Sequence, residues 1–361
     1  MSHIQRRSNG QWRARYRTPD GRERSKTFRR KADAERFLAV VESEKLRGDY
    51  VDPLGGRRLF VDVVDDWLEN HIQLRPTTLE QRESCLRNHV LPYFGDRPIG
   101  SITRNEVQAW VNHRSEVMAP ASVQVCYSYL AGVFKAAIED QLIARTPCRG
   151  VKLPRIEQPP VQPIPTAAVH RLAESIGPRF RSLVLTAAGT GVRQGECFGL
   201  TIDRVDFGRG VIVVDRQLVQ LSGGPHDIAP PKTPAAYRTI PLPRVVADSI
   251  TQQVEEFGTG VAVDATGRAV EGIVFTRSDE TAIRRSAFNG RWRTAVKRAG
   301  LPIGTRFHEL RHYYASVLIE AGESVKVIQA RLGHKSAVET LDTYGHLWPD
   351  TEVRNRRRAW S

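Results

Sequence analysis

From Leu59 to about Ile143 apolar residues return every three or four positions, the spacing of helices with one buried face. Phe60, Val63, Val64, Trp67 and Leu68 form one such stripe, and Pro76-Thr77-Thr78 opens a second predicted helix that runs through Val90. Thr103-Arg104-Asn105-Glu106 has the form of a capping box ahead of Val107 to Val111, and Ala121 to Ile138 reads as a fourth helix. The pattern predicts an all-α domain whose aromatic and Met residues are core, with no cofactor box. Upstream the period is two: Gln11 to Arg17 alternates like a strand, Pro19-Asp20-Gly21 is turn chemistry, and a second strand ends near Phe28. A hairpin with one cationic face is expected there. A helix is expected from about Ala32 to Arg47, with Phe37, Leu38, Val41 and Leu46 on its apolar side and Gly48 just past its end.

Five prolines between Gly150 and Thr166 (Pro154, Pro159, Pro160, Pro163, Pro165) favour extended backbone and mark a linker. Beyond it the chain begins helically and passes through strand-like Val205–Asp206 and Val211–Val214. It continues through a Gly/Pro-rich hairpin region and Tyr237 to Leu242, and is then expected to return to helix. The fold class that follows is multidomain: a small α+β module over residues 1–55, an all-α domain over 56–150, a Pro-rich linker over 151–165, and a mixed, mainly α domain over 166–361 that includes a C-terminal tail. No internal repeat is evident.

Charge narrows the partners. The 361 residues carry a formal net charge of +14, and on a chain without lipid signals this points first to a polyanion, with nucleic acid favoured. The excess is concentrated: residues 1–31 hold eleven Lys and Arg side chains against Asp20 and Glu23. Cys85, Cys126, Cys148 and Cys197 are scattered without a CxxC spacing, so neither a zinc site nor a disulfide framework is expected, and a reducing cytosol fits. No apolar run follows Arg6-Arg7, and none approaches the ~18 residues of a membrane span, so a cytoplasmic protein that is neither secreted nor embedded is expected.

The chemistry-bearing residues lie late in the chain. His308-Glu309-Leu310-Arg311-His312 matches the H-E-x-x-H of zinc proteases, in which two histidines share a helix face and the glutamate is the base. No third ligand follows at a familiar spacing, Arg311 would set a fixed cation beside a dication, and a protease has no use for the basic N-terminus. Gly189-Thr190-Gly191-Val192-Arg193-Gln194-Gly195 looks superficially like a nucleotide cradle, but its flanks read helix, turn, helix rather than βαβ. Its glycines are expected to let the backbone turn tightly so that Arg193 enters a cleft, with Glu196 one turn on to orient it.

Together, Thr190 to Glu196, Pro231-Lys232-Thr233 with Tyr237-Arg238-Thr239-Ile240-Pro241-Leu242, His308 to His312, Leu332-Gly333-His334 and Tyr344 resemble the tyrosine recombinase (phage integrase) family. The motifs cover Thr166 to about Trp348. The helical domain resembles that family's core-binding domain, and the basic N-terminal module resembles the arm-type DNA-binding domain of lambda-integrase-like, heterobivalent integrases such as those of actinobacterial phages. The resemblance implies a site-specific recombinase that integrates and excises a mobile element such as a phage genome through a 3′-phosphotyrosyl intermediate.

It also implies roles. Tyr344 is the nucleophile, Arg193 and Arg311 fork onto the phosphate oxygens, Lys232 is the general acid, His308 is the candidate base, and His334 donates to the phosphate. Glu196 supports the set. His312 is expected to be structural. Arg13, Arg15, Arg17, Arg24 and Lys26 are expected to bind DNA from the N-terminal hairpin. The expected partners are double-stranded DNA at core and arm sites, three further copies in a homotetramer, a host DNA-bending factor and an excisionase or directionality factor; no metal or other cofactor is implied. Two alternatives stay open: a non-cleaving DNA-binding protein on the same scaffold, and a type IB topoisomerase-like enzyme.

Overall fold

The computed structural model describes residues 2–348 apart from Asp20, Gly48, Asp49, Pro53, Ile72, Gln158 and 221–225. The expected helix stop at Gly48, the tip of the Gly/Pro-rich hairpin and the basic tail with Arg354, Arg356, Arg357 and Arg358 lie outside the described residues. The chain forms two compact units, Met1–Glu157 and Gln158–Ser361.

The first unit begins with an antiparallel sheet of β1 (His3–Arg6), β2 (Trp12–Arg17) and β3 (Glu23–Phe28), followed by α1 (Lys31–Arg47). Ala14 and Tyr16 from β2 meet Ala34, Leu38 and Val41 from α1 and Tyr50 in a small core. The register corrects the expectation of one cationic face. Arg13, Arg15 and Arg17 sit opposite Thr27, Ser25 and Glu23, whereas Arg24 and Lys26 sit opposite Tyr16 and Ala14 and so belong to the helix-facing side. There Arg24 donates to both carboxylate oxygens of Asp52, at 3.3 and 2.7 Å, and the Lys26 ammonium lies over the rings of Phe28 and Phe37. Leu46 is a second correction: it is 89% exposed, and the last turn instead lays Lys45 over the Tyr16 ring.

The rest of this unit is helical: α2 (Phe60–Glu69), α3 (Pro76–Cys85), α4 (Leu91–Phe94), α5 (Arg104–Val117) and α6 (Pro120–Glu139). The predicted stripe of α2 is the buried one, and Thr103 and Glu106 make the reciprocal capping bonds that start α5. The second helix runs past Val90. Over Leu86–Val90 it widens to a π turn, just before Pro92, which has no N–H to return to the preceding turn. Cys85 and Cys126 are joined in a disulfide between α3 and α6, their Cα atoms 5.8 Å apart, where the scattered spacing led us to expect no pairing. Spacing along a chain does not report on which helix faces meet.

The second unit runs α7 (Thr166–Ser175), α8 (Pro178–Thr190), α9 (Gln194–Phe198), β4 (Val205–Asp206), β5 (Val211–Val214), β6 (Gln217–Gln220), β7 (His226–Ala229), β8 (Arg238–Pro241), α10 (Arg244–Phe257), β9 (Gly260–Asp264), β10 (Ala269–Ile273), α11 (Arg285–Arg298), α12 (Glu309–Glu320), α13 (Val325–Leu332) and α14 (Ala337–Tyr344). β4, β5 and β8 form one antiparallel sheet; β10, β9, β7 and β6 form a second, in which β7 and β9 run parallel. The β9–β10 hairpin stands where only helix was expected. Its turn was readable: Gly267 takes φ +80°, and the Asp264 carboxylate accepts from the backbone N–H groups of Thr266 and Arg268. At the centre lies α8, whose Leu183, Val184, Ala187 and Ala188 are buried against α7, α10 and α12.

Candidate active site

Three helix ends in the second unit carry the charged groups, beginning with two glycines. Gly191 ends α8 and Gly333 ends α13, both in the left-handed region at φ +64° and +66°. A Cβ on Gly191 would lie 2.4 Å from the Tyr314 ring, and one on Gly333 would lie 2.9 Å from the Ala235 carbonyl, so both positions exclude a side chain. The last carbonyls of a helix have no N–H partner within it, and guanidinium groups take them up here. Arg311 donates from Nη1 to the Gly191 carbonyl at 2.8 Å and from Nη2 to the Leu332 carbonyl at 2.5 Å; Arg193 donates to the Gly333 carbonyl at 3.2 Å.

Glu196 is the hub. Its carboxylate accepts from Arg193 Nη1 at 3.0 Å and from the Arg193 backbone N–H at 2.8 Å, and from both terminal nitrogens of Arg238 at 3.1 and 2.7 Å. Burial alone would push this carboxyl up, but the Arg238 pair and then Arg193 outweigh it and hold the pKa at about 2. Arg311 is 2% exposed, and burial, followed by repulsion from Arg193 and Arg238, lowers its pKa to about 9. It stays charged at neutral pH. Three guanidiniums thus lie near one carboxylate, which only Arg193 and Arg238 bond directly, and Arg193 remains 38% exposed. A cluster with a positive excess and a partly exposed guanidinium suits an anion.

Tyr344, the last residue of α14, is 1% exposed. Its hydroxyl lies 2.8 Å from Nδ1 of His312, and its ring is parallel to that of His334, with centroids 6.3 Å apart. His334 is itself held by a bond between Nδ1 and the Thr340 hydroxyl at 2.8 Å. Burial raises the Tyr344 pKa to about 12, with Arg311 pulling the other way. Burial, then Arg311, lowers His312 and His334 to about 4, so both are neutral at pH 7. His308 stands edge-to-face on His312 at 4.7 Å; it keeps an open face, while crowding on the other side and the neighbouring charges of His312, Arg311 and Arg193 push its pKa down.

The fold therefore brings Arg193, Glu196, Arg311, His308, His334 and Tyr344 into one cluster. Lys232 is different. Its side chain is exposed on the loop after β7 and makes no hydrogen bond or ion pair among the described residues, although Ala235 of the same loop packs against Gly333. Two members of the cluster were not assigned from sequence. Arg238 shares the inward side of β8 with fully buried Ile240, and an arginine on the apolar side of a strand is the signal that marks it. His312 carries no such signal, because only the fold sets it against Tyr344. Among the described residues no group of three or more His, Cys, Asp or Glu side chains is arranged to hold a metal ion.

Comparison with known proteins accords with this geometry. Residues 164–350 match the model of the phage integrase family, residues 59–114 that of the phage integrase N-terminal SAM-like domain, and residues 3–47 that of the phage integrase N-terminal domain. A putative prophage phiRv2 integrase of Mycobacterium tuberculosis (strain ATCC 25618 / H37Rv) is 27% identical over 352 residues, covering 94% of this chain and 90% of the relative. Among solved structures, the Tn1549 transposon integrase in complex with transposon right end DNA superposes with a TM-score of 0.71 at 22% identity, over 84% of this chain and 100% of that one. A lambda integrase tetramer bound to a Holliday junction gives 0.60 at 20% identity, over 93% and 96%.

The chain belongs to the phage integrase family, whose members are tyrosine site-specific recombinases, and it is an enzyme of that class. Among the described residues no helix is long and apolar enough to cross a membrane.

Proposed function

We propose that this recombinase cuts one strand at a time at attachment sites, with Tyr344 as nucleophile, and that it integrates and excises a mobile element such as a phage genome. The observation that carries the reading is that the Tyr344 hydroxyl is fixed 2.8 Å from a neutral imidazole, beside a cluster of three arginines that holds only one carboxylate and so keeps a positive excess. In the proposed step the phenolic oxygen attacks the scissile phosphorus, a 3′-phosphotyrosyl bond forms, and the 5′-oxygen leaves with a proton from Lys232. The 5′-hydroxyl of the partner strand later reverses the step. The bond energy is kept in the covalent intermediate, so neither ATP nor water enters the bookkeeping. Arg193 and Arg311 stabilise the charge that gathers on the non-bridging oxygens, Glu196 and Arg238 hold Arg193 in place, and His334 donates to the phosphate; His308, the base expected from the resemblance, makes no hydrogen bond with Tyr344 and is reassigned here as a second donor to the phosphate.

For recognition, we assign residues 56–150 and 166–361 to the core site, gripped largely through phosphates, and residues 1–55 to a second, arm-type site. The face carrying Arg13, Arg15 and Arg17 suits a ribbon entering a major groove, while Arg24 and Lys26 serve the module's own packing. Binding both kinds of site from one chain asks the intervening DNA to bend. In this reading a host bending protein would supply that bend, and the proposed assembly is a homotetramer with a directionality factor as a further partner. The test is covalent trapping on a nicked duplex: wild-type protein should accumulate an adduct, Tyr344→Phe should form none while still binding, and equal adduct from that variant would overturn the reading.

A further inference from the structure

We propose that His312, the residue next to the buried arginine of the cluster, takes the phenolic proton of Tyr344 as the oxygen attacks phosphorus. This rests on the reading of Tyr344 as nucleophile and gives its reaction a base. The pairing of Oη with Nδ1 of His312 at 2.8 Å is the one hydrogen bond the phenol makes among the described residues. We assign His312 the Nε2–H tautomer, which leaves the Nδ1 lone pair to accept from the hydroxyl.

The other two imidazoles are placed for different work. His334 lies parallel to the Tyr344 ring, with interplanar angle 9°, makes no hydrogen bond with its hydroxyl, and has its Nδ1 already engaged by Thr340. His308 makes no hydrogen bond with Tyr344 and keeps a solvent-facing side, which leaves it for the phosphate. The charged groups acting on this pair are Arg311 and Arg193, which favour the phenolate, and Glu309 and Glu339, which oppose it. His312 itself feels burial and then Arg311, both of which keep it neutral and able to accept.

The atoms balance as follows. Oη forms its bond to phosphorus and gives its proton to Nδ1, while the P–O5′ bond breaks with its electron pair and O5′ takes a proton from Lys232. On rejoining, the incoming 5′-hydroxyl returns a proton to Lys232, and Oη leaves phosphorus and recovers its own from the His312 imidazolium. In the resting site the transfer is uphill, since the phenol is a weaker acid and the imidazole a weaker base than usual. As the Oη–P bond forms, the hydroxyl becomes strongly acidic, and negative charge collecting on the phosphate oxygens raises the basicity of the imidazole. The proton then moves within the attack.

The test uses the full chain and a nicked duplex carrying the site at which wild-type protein becomes attached, made with either oxygen or sulfur at the bridging 5′ position. A sulfur leaving group needs no proton. His312→Asn, whose amide can hold the phenol but cannot accept its proton, should slow adduct formation by on the order of 10²-fold or more, equally on both substrates. Lys232→Ala should be slow on oxygen and restored on sulfur. In His312→Ala, added imidazole should raise the rate in proportion to its unprotonated fraction, a response that a merely structural histidine would not give. DNA affinity and the unfolding midpoint report whether each variant folds, and the imidazole response is read within one variant, so it survives a general loss of stability. Cleavage by His312→Asn within about threefold of wild type, or no response to imidazole, would overturn the proposal and leave the recombinase reading intact. Adduct from the Tyr344→Phe control would overturn the underlying reading instead.

Discussion

Arg238 closes both terminal nitrogens of its guanidinium on the carboxylate of Glu196, at 2.7 and 3.1 Å, with side-chain exposures of only 5% and 3%. The pair is the foundation on which the more exposed Arg193 stands. Deleting one member of a buried pair leaves the other charge unpaired in a poor solvent, and Glu196→Ala should cost about 3–5 kcal/mol in chemical denaturation. Arg238→Lys keeps the charge but loses the planar fork, so it should keep more stability than Glu196→Ala while slowing adduct formation. The carboxyl also sets an acid limb. Its folded pKa of about 2 lies below the ordinary 4.5, so the stability it contributes is present above 4.5 and is lost as pH falls through about 2. Glu196→Gln should flatten the unfolding free energy across that window.

The neutral histidines give a second, higher window. His312 and His334 bind protons with pKa values of about 4 in the folded chain, against 6.5 ordinarily. Between those values the unfolded chain holds more protons than the native one, so stability is full above 6.5 and declines as pH falls towards 4. An anion in the arginine cluster should oppose the decline, because its charge favours imidazolium. Denaturation midpoints at pH 7, 5.5 and 4.5, with and without sulfate, check this; a midpoint that is flat from pH 7 to 4.5 would contradict the buried, neutral state.

Much of this fold is written in local pattern, and the exceptions share a cause. The stripe of α2 and the cap of α5 are legible because each depends on residues within one or two turns. The motif residues Arg193, Glu196, Arg311, His334 and Tyr344 are legible as a set because of their order. The split of the N-terminal arginines between two sheet faces, the exposure of Leu46, the Cys85–Cys126 pairing and the His312–Tyr344 bond all depend on register or on helices that meet over long separations. Periodicity does not encode those distances. The β9–β10 hairpin is the exception: its Asp264 to Gly267 turn is local and visible.

Gly191 should tolerate no substitution. Its left-handed backbone costs a residue with a Cβ about 1–2 kcal/mol, and the added carbon would meet the Tyr314 ring at 2.4 Å. Relief of that clash moves either Tyr314 or the carbonyl that binds Arg311. Gly191→Ala should therefore lower stability by more than the backbone term alone and also reduce adduct formation per folded molecule. A variant with a lower midpoint but unchanged specific activity would show that the Gly191 carbonyl is dispensable for aiming Arg311.

The split faces of the N-terminal sheet separate two kinds of arginine variant. Arg13, Arg15 and Arg17 project from the face away from α1, and each that neutralises a phosphate should lower the slope of log affinity against log salt by about 0.9 when changed to Gln. Arg15 is partly engaged with Glu23 at 3.4 Å, so its change should have the smallest effect of the three. Arg24→Gln should behave otherwise: its fork on Asp52 ties β3 to the segment after α1, and the variant should destabilise the module with little change in salt slope at temperatures where it remains folded. Deleting residues 1–50 should leave cleavage of the core site and impair recombination of complete attachment sites. Binding isotherms across a salt series, read beside the recombination yield of the truncated chain, decide the matter; equal slopes for Arg17→Gln and Arg24→Gln, or normal recombination without the module, would remove the arm assignment.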